Sequence, residues 1–205
     1  MKDAGKKQVA SPVVQRQARA LKTRADLMQA ARKIFAKSGF EQARLEDIAR
    51  LAGKTRGAFY ANFKDKEEVF FAILEASLEE DRGVLHGTLK HCTSMKQRLQ
   101  AFSKYLVEVI YDRELIMLHI EFKTYAIRNP KRKQLAGLLT KMIDQYVARE
   151  AGEFIPALQS GDARSVVSGV IDGLALNVLF DPDPPSDAVL EQVIFAVLQQ
   201  VAGSA

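Results

Sequence analysis

Residues 44–68 read RLEDIARLAGKTRGAFYANFKDKEE. Leu45, Ile48, Ala49 and Ala52 fall on one helical stripe. Gly53 closes that helix, because glycine enters the left-handed conformation without a Cβ penalty. A second helix is expected over Thr55–Asn62, where the Thr55 hydroxyl can accept from orphan amides. Only Gly53 and Lys54 separate the two helices, so they must cross steeply, in the manner of a helix-turn-helix. Asp65, with Glu68 three residues on, is the capping-box arrangement that starts the following helix.

The second short helix buries Phe59 and Phe63 and turns Thr55, Arg56, Gly57, Tyr60, Ala61 and Asn62 outward. Those residue types suit a DNA major groove. Arg56 offers two parallel donors to guanine O6 and N7, and the Ala61 methyl can touch thymine. Gly57 and Ala61 let the backbone approach, while Thr55, Tyr60 and Asn62 are candidates for phosphate contacts, which position without specifying. Lys66, with the amides and dipole of its helix start, is a further phosphate candidate.

Upstream, Leu27, Ala30, Ala31, Ile34 and Phe35 form the stripe of a helix beginning near Arg19 and ending at Gly39. Residues 1–18 are polar and basic and read as a flexible arm. Residues 19–65 then form the expected DNA-binding head, and 66–205 the body. Residues 1–65 hold fifteen Lys/Arg against six Asp/Glu, a net of +9, whereas the rest is −4, giving the +5 of the whole chain. A basic third on an acidic body is the footprint of a nucleic-acid surface.

Thr23-Arg24, Leu27, Ala30-Ala31, Ile34-Phe35-Ala36, Gly39-Phe40, Asp47-Ile48-Ala49, Ala52-Gly53, Gly57-Ala58-Phe59-Tyr60, Phe63 and Lys66-Glu67 together resemble the amino-terminal domain of TetR/AcrR-family transcriptional regulators. The match covers about 45 residues. The resemblance implies a homodimer with two heads on a palindromic double-stranded DNA operator, and a divergent body that binds an inducing ligand and dimerises. Two positions depart from the family pattern. Lys54 stands where a hydrophobic residue is usual; its stem can cover core while its ammonium reaches a phosphate. Ala43 and Arg44 stand where Ser or Thr usually caps the helix; Arg44 can replace a phosphate contact but cannot accept from amides.

In the body, every periodic segment is helical, with helices expected at about 66–90, 95–111, 113–128, 130–156, 162–180 and 186–202. The fold class is all-α, about nine helices. The central helices hold Phe102, Tyr105, Val109, Met117, His119, Phe122, Tyr125, Met142 and Tyr146, candidates for an apolar cavity that would take a small hydrophobic or aromatic effector. The same residues at helical spacing also serve as plain core. The last two helices are more apolar than one contact face requires, and Val166, Val170, Leu174, Val178, Leu190, Ile194, Val197 and Val201 are the candidates for pairing with a second copy.

The longest apolar stretch, 166–180, reads as too short for a bilayer, and Met1–Ala20 lacks a signal-peptide core, so a cytoplasmic protein with no membrane partner is expected. The one cysteine, Cys92, excludes an intrachain disulfide framework. No enzyme motif, cofactor loop or metal-spaced cluster is present; His86, His91 and Cys92 lie on different faces of a helix. The reading is a ligand-released repressor. The alternatives are a DNA-binding regulator without a small-molecule effector, controlled by a partner protein or constitutive, and an all-α enzyme with a vestigial head.

Overall fold

The computed structural model describes residues 12–203. Its α-helices are α1 (Pro12–Ser38), α2 (Leu45–Leu51), α3 (Arg56–Tyr60), α4 (Lys66–Glu80), α5 (Val84–Lys90), α6 (Met95–Tyr111), α7 (Arg113–Arg128), α8 (Arg132–Glu150), α9 (Gly161–Phe180) and α10 (Asp187–Gly203), with a short 3-10 helix at Pro156–Gln159. No strand occurs among the described residues.

Three local outcomes differ from the sequence expectation. Helix α1 begins at Pro12, not near Arg19, so 12–18 are helical; proline suits a first turn, where its missing N–H costs nothing. The rest of the expected arm lies outside the described residues. The helix expected over 66–90 is two helices, because Gly83 takes φ +78° and its N–H donates to the buried Glu150 carboxylate at 3.0 Å. An extended α-helix has no place for that left-handed residue. The segment 130–156 ends its helix at Glu150 and continues through tight turns into the 3-10 helix.

Two apolar cores organise the chain. The first joins α1 (Leu27, Ala31, Phe35), α2 (Ile48), α3 (Phe59), Phe63 and α4 (Val69, Phe70) to Leu118 and Phe122 of α7 and Leu135 and Leu139 of α8. Phe70 and Phe122 stack with centroids 3.8 Å apart, and Phe40 meets both rings edge-on. The second gathers α5, α6, α9 and α10 around Phe102, Ile110, Ile171 and Ile194, with Ile116 of α7. Helix α7 therefore enters both cores. Burial of aromatic side chains at about 25 cal/mol per Å² makes these clusters the main stabilising term.

Candidate nucleic-acid interface and effector cavity

The turn between α2 and α3 is built by a Schellman closure. Lys54 N–H donates to Ala49 O at 2.8 Å and Gly53 N–H to Arg50 O at 3.0 Å, with Gly53 at φ +64°. Thr55 Oγ1 then accepts from Ala58 N at 3.1 Å and starts α3. Lys54 pairs with Asp26 of α1 at 3.0 Å, half-buried, so its ammonium ties the turn to α1, where the sequence predicts a phosphate contact. Arg44 occupies the N-cap of α2 with no side-chain cap bond.

Arg44, Thr55, Arg56, Gly57, Tyr60 and Ala61 are all exposed. Asn62 is different. It is half-buried, its Nδ2 donates to Ala58 O at 2.8 Å, and its own carbonyl receives Arg24 at 2.8 Å. Arg24 also lies 4.2 Å over the Phe63 ring, so it pins the end of α3 to α1. Arg56 has an acidic neighbour that linear order hides: Glu46 of α2 lies 2.9 Å from Nη1, and Tyr60 completes the cluster at 3.4 Å from Nη2. The steep crossing of α2 and α3 brings those residues together.

Lys66 corrects an expectation. Its Nζ donates to Phe40 O at 2.9 Å and Glu41 O at 2.6 Å, and lies 5.1 Å over the Phe40 ring and 5.5 Å over Tyr125. Burial holds its pKa below the ordinary lysine value, partly offset by Glu67 and Glu41. This ammonium closes the turn after α1 by donating to two backbone carbonyls, where the sequence predicts a phosphate contact. Helix α4 starts with the expected cap: Asp65 Oδ1 accepts from Glu68 N at 2.8 Å, while Glu68 reaches back to Lys64 N, one residue earlier than a standard box.

In the body, α4, α6, α7, α8 and α9 surround a cavity of about 160 Å³, comparable to one that takes up benzene in an apolar interior. Phe102, Tyr105, Val109, His119 and Tyr146 line it as expected. Four expected residues lie elsewhere. Phe122 fills the first core, Tyr125 donates its hydroxyl to Glu67 and packs on Phe40, Met142 packs against the first core, and Met117 is not among the lining residues. Helical spacing marks a buried face without saying which core it meets. Leu74, Asp81, Ile116, Ile143, Arg164 and Asp172 also line the cavity, unmarked by the sequence reading.

The cavity's ionisable groups are arranged in three sets. The Tyr105 and Tyr146 hydroxyls hydrogen-bond at 2.8 Å, with Asp81 Oδ2 3.5 Å from Tyr105 Oη. Arg164 is held bidentate by Asp144 at 2.7 and 2.9 Å and donates to Leu158 O and Gln159 O. Lys123 pairs with Asp172, and His119 Nε2 lies 4.0 Å from the same carboxylate, buried and with no hydrogen-bond partner. Burial, then Lys123, push the His119 pKa down to about 4, against the pull of Asp172, so the imidazole is neutral.

Residues 27–73 match the family of bacterial regulatory proteins, tetR family. The chain is 41% identical over 178 residues to the HTH-type transcriptional regulator AcrR of Shigella flexneri, covering 80% of this chain and 81% of that one. The chain belongs to the TetR family. It is also 30% identical over 182 residues to the HTH-type transcriptional regulator TtgR of Pseudomonas putida, covering 80% and 83%. Its fold is shared by the transcriptional regulator FadR of Bacillus subtilis in complex with stearoyl-CoA, with a TM-score of 0.58, 19% identity and coverage of 88% and 98%.

This TetR-family chain is a DNA-binding transcriptional regulator, and regulators of the family bind DNA operators as dimers. The terminal helices sort the dimerisation candidates into two groups. Leu190 and Ile194 are each 1% exposed, consumed by the subunit's own core, so they leave the set of candidate partner contacts. Val166 is exposed, and Val170, Leu174, Val178, Val197 and Val201 are half-buried. The apolar side chains left uncovered are Val166, Leu176 and Phe180 of α9 and Val189 and Val193 of α10, Phe180 being 86% exposed. Helix α9 is 20 residues long, and by length and composition it is apolar enough to cross a membrane, unlike the shorter stretch read from the sequence. Its helix begins at Gly161 and so adds five residues to that stretch.

Proposed function

We propose that this regulator represses transcription from a palindromic operator as a homodimer and is released by a small, largely apolar effector bound in the body cavity. The exposed cluster of Arg44, Thr55, Arg56, Gly57, Tyr60 and Ala61 would meet the DNA, with Arg56 reading bases and the others positioning the head. The observation that carries the effector half is the placement of α7. Ile116 and His119 line the cavity, and within two turns the same helix holds the head: Glu121 Oε2 accepts from Phe40 N at 3.2 Å, Phe122 stacks on Phe70, and Tyr125 bonds Glu67.

A ligand that wedges between α7 and its neighbours would therefore move groups that set the pose of α1 and α4. Such a ligand shifts populations only through its differential affinity for the two head spacings, so effector and operator weaken each other reciprocally. The ligand-bound state of the FadR neighbour supports a body that accommodates small molecules. The uncovered faces of α9 and α10 would pair with their copies, which gives the heads two-fold symmetry. The test is selection of bound duplexes from a random pool at physiological salt, followed by titration of small apolar compounds against the recovered duplex. A palindrome whose affinity falls on ligand addition is expected. A non-palindromic site, or an affinity indifferent to every cavity ligand, refutes the corresponding half.

A further inference from the structure

The charges lining the body cavity do not cancel. The Arg164 guanidinium is matched by Asp144, with each of its three nitrogens donating, and Lys123 is matched by Asp172. His119 is neutral, and the Tyr105 and Tyr146 hydroxyls are pushed further from ionising by burial. That leaves Asp81, at the C-cap of α4, half-buried against the cavity. Among the described residues no basic side chain pairs with it; its side-chain hydrogen bond comes from the Tyr105 hydroxyl at 3.5 Å. Burial, then the neighbouring Glu80 and Asp112, disfavour its charged form, opposed by Tyr105. The cavity is thus an apolar space with one uncompensated carboxylate, and the faces of Phe102, Tyr105 and Tyr146 beside it.

From this we infer that the effector is a lipophilic monocation, an amine or quaternary ammonium on an aromatic or aliphatic body, whose charge is taken by Asp81. The inference rests on the effector reading above and specifies its chemistry. A neutral ligand filling this space strips water from Asp81 and offers nothing in return, which costs binding energy. An anion adds repulsion. A cation supplies the missing charge, and aromatic faces attract it further. The unpartnered Nε2 of His119 supplies a second, neutral polar contact across the apolar walls.

The test uses three compounds of one shape: 2-phenylethylamine, 2-phenylethanol and phenylacetate, titrated calorimetrically at neutral pH into the full-length dimer. In parallel, release of the selected duplex is followed by fluorescence anisotropy. The wild type should bind the amine on the order of tenfold more tightly than the alcohol, and the carboxylate most weakly. Asp81→Asn should lose the amine's advantage while still binding the alcohol, and Asp81→Glu, which keeps the charge, should retain it. Equal affinities, or a preference for phenylacetate, overturn the charge assignment even if a variant fails to fold, because the wild type alone decides that ranking. Persistence of the amine's advantage in Asp81→Asn overturns it too, as does failure of all three compounds to bind. Amine binding that leaves the duplex in place supports the Asp81 assignment and refutes effector release instead.

Discussion

Arg56 and Glu46 form an exposed pair that water screens to a weak attraction, so a guanine edge can displace Glu46 from the guanidinium. Arg56→Ala should cost roughly 1–3 kcal/mol of operator binding and flatten discrimination against scrambled duplex; unchanged discrimination removes Arg56 from base readout. Glu46→Gln frees the guanidinium for any phosphate, so non-specific affinity at low salt should rise more than operator affinity. Lys66 behaves in the opposite way, because its ammonium is spent on Phe40 O and Glu41 O. Lys66→Met should lower folding stability by about 1–3 kcal/mol in a urea titration. The salt dependence of duplex binding should keep its slope; a slope reduced by about one contact would return Lys66 to the phosphates. Arg56 was readable as a donor from its place after the Gly53 turn. Its neighbour was not, since Glu46 lies ten positions away and only the helix crossing joins them.

At the scale of elements, α7 is the part shared by cavity and head. Its periodicity marks a helix with a buried face, yet the face is split: Ile116 goes to one core and Phe122 to the other. That division explains why Phe122 and Tyr125 read as cavity candidates and serve the head instead. Glu121 carries the most direct contact, a backbone bond to Phe40 just beyond the end of α1. Glu121→Gln and Tyr125→Phe should leave ligand affinity for the free protein nearly intact but reduce the effector's weakening of operator binding by about 0.5–2 kcal/mol, as read by operator titrations with and without saturating ligand. Identical coupling in both variants would take α7 out of the path. The helix breaks show the same limit of local pattern. Gly83 sits in a stretch with helical composition, and only the distant Glu150 carboxylate reveals that its N–H is needed elsewhere.

For the whole molecule, acidity and association are the two tests. The unfolded His119 binds a proton below about pH 6.5, whereas the folded one resists until about 4. Between those values the unfolded state holds the extra proton, so stability falls as pH drops through that window, by about 1–3 kcal/mol. His119→Gln should flatten that part of a stability-against-pH curve, and an unchanged curve would assign the slope to other groups. Association should depend on the uncovered face. Val193→Asp, on the outer side of α10, should yield a folded monomer by sedimentation with sharply weakened operator binding, whereas Ile194→Asp, beside it but buried, should unfold the subunit. A dimeric Val193→Asp would move the interface elsewhere. Helical class, the basic head and the reading helix follow from the chain itself, because hydrophobic period, glycine closure and capping act over a few residues. The cavity's lining, the partner of Arg56, the burial of Lys66 and the side of α10 left uncovered follow from packing. Each joins residues far apart in the chain, and a periodic stripe records only that a face is buried, never against what.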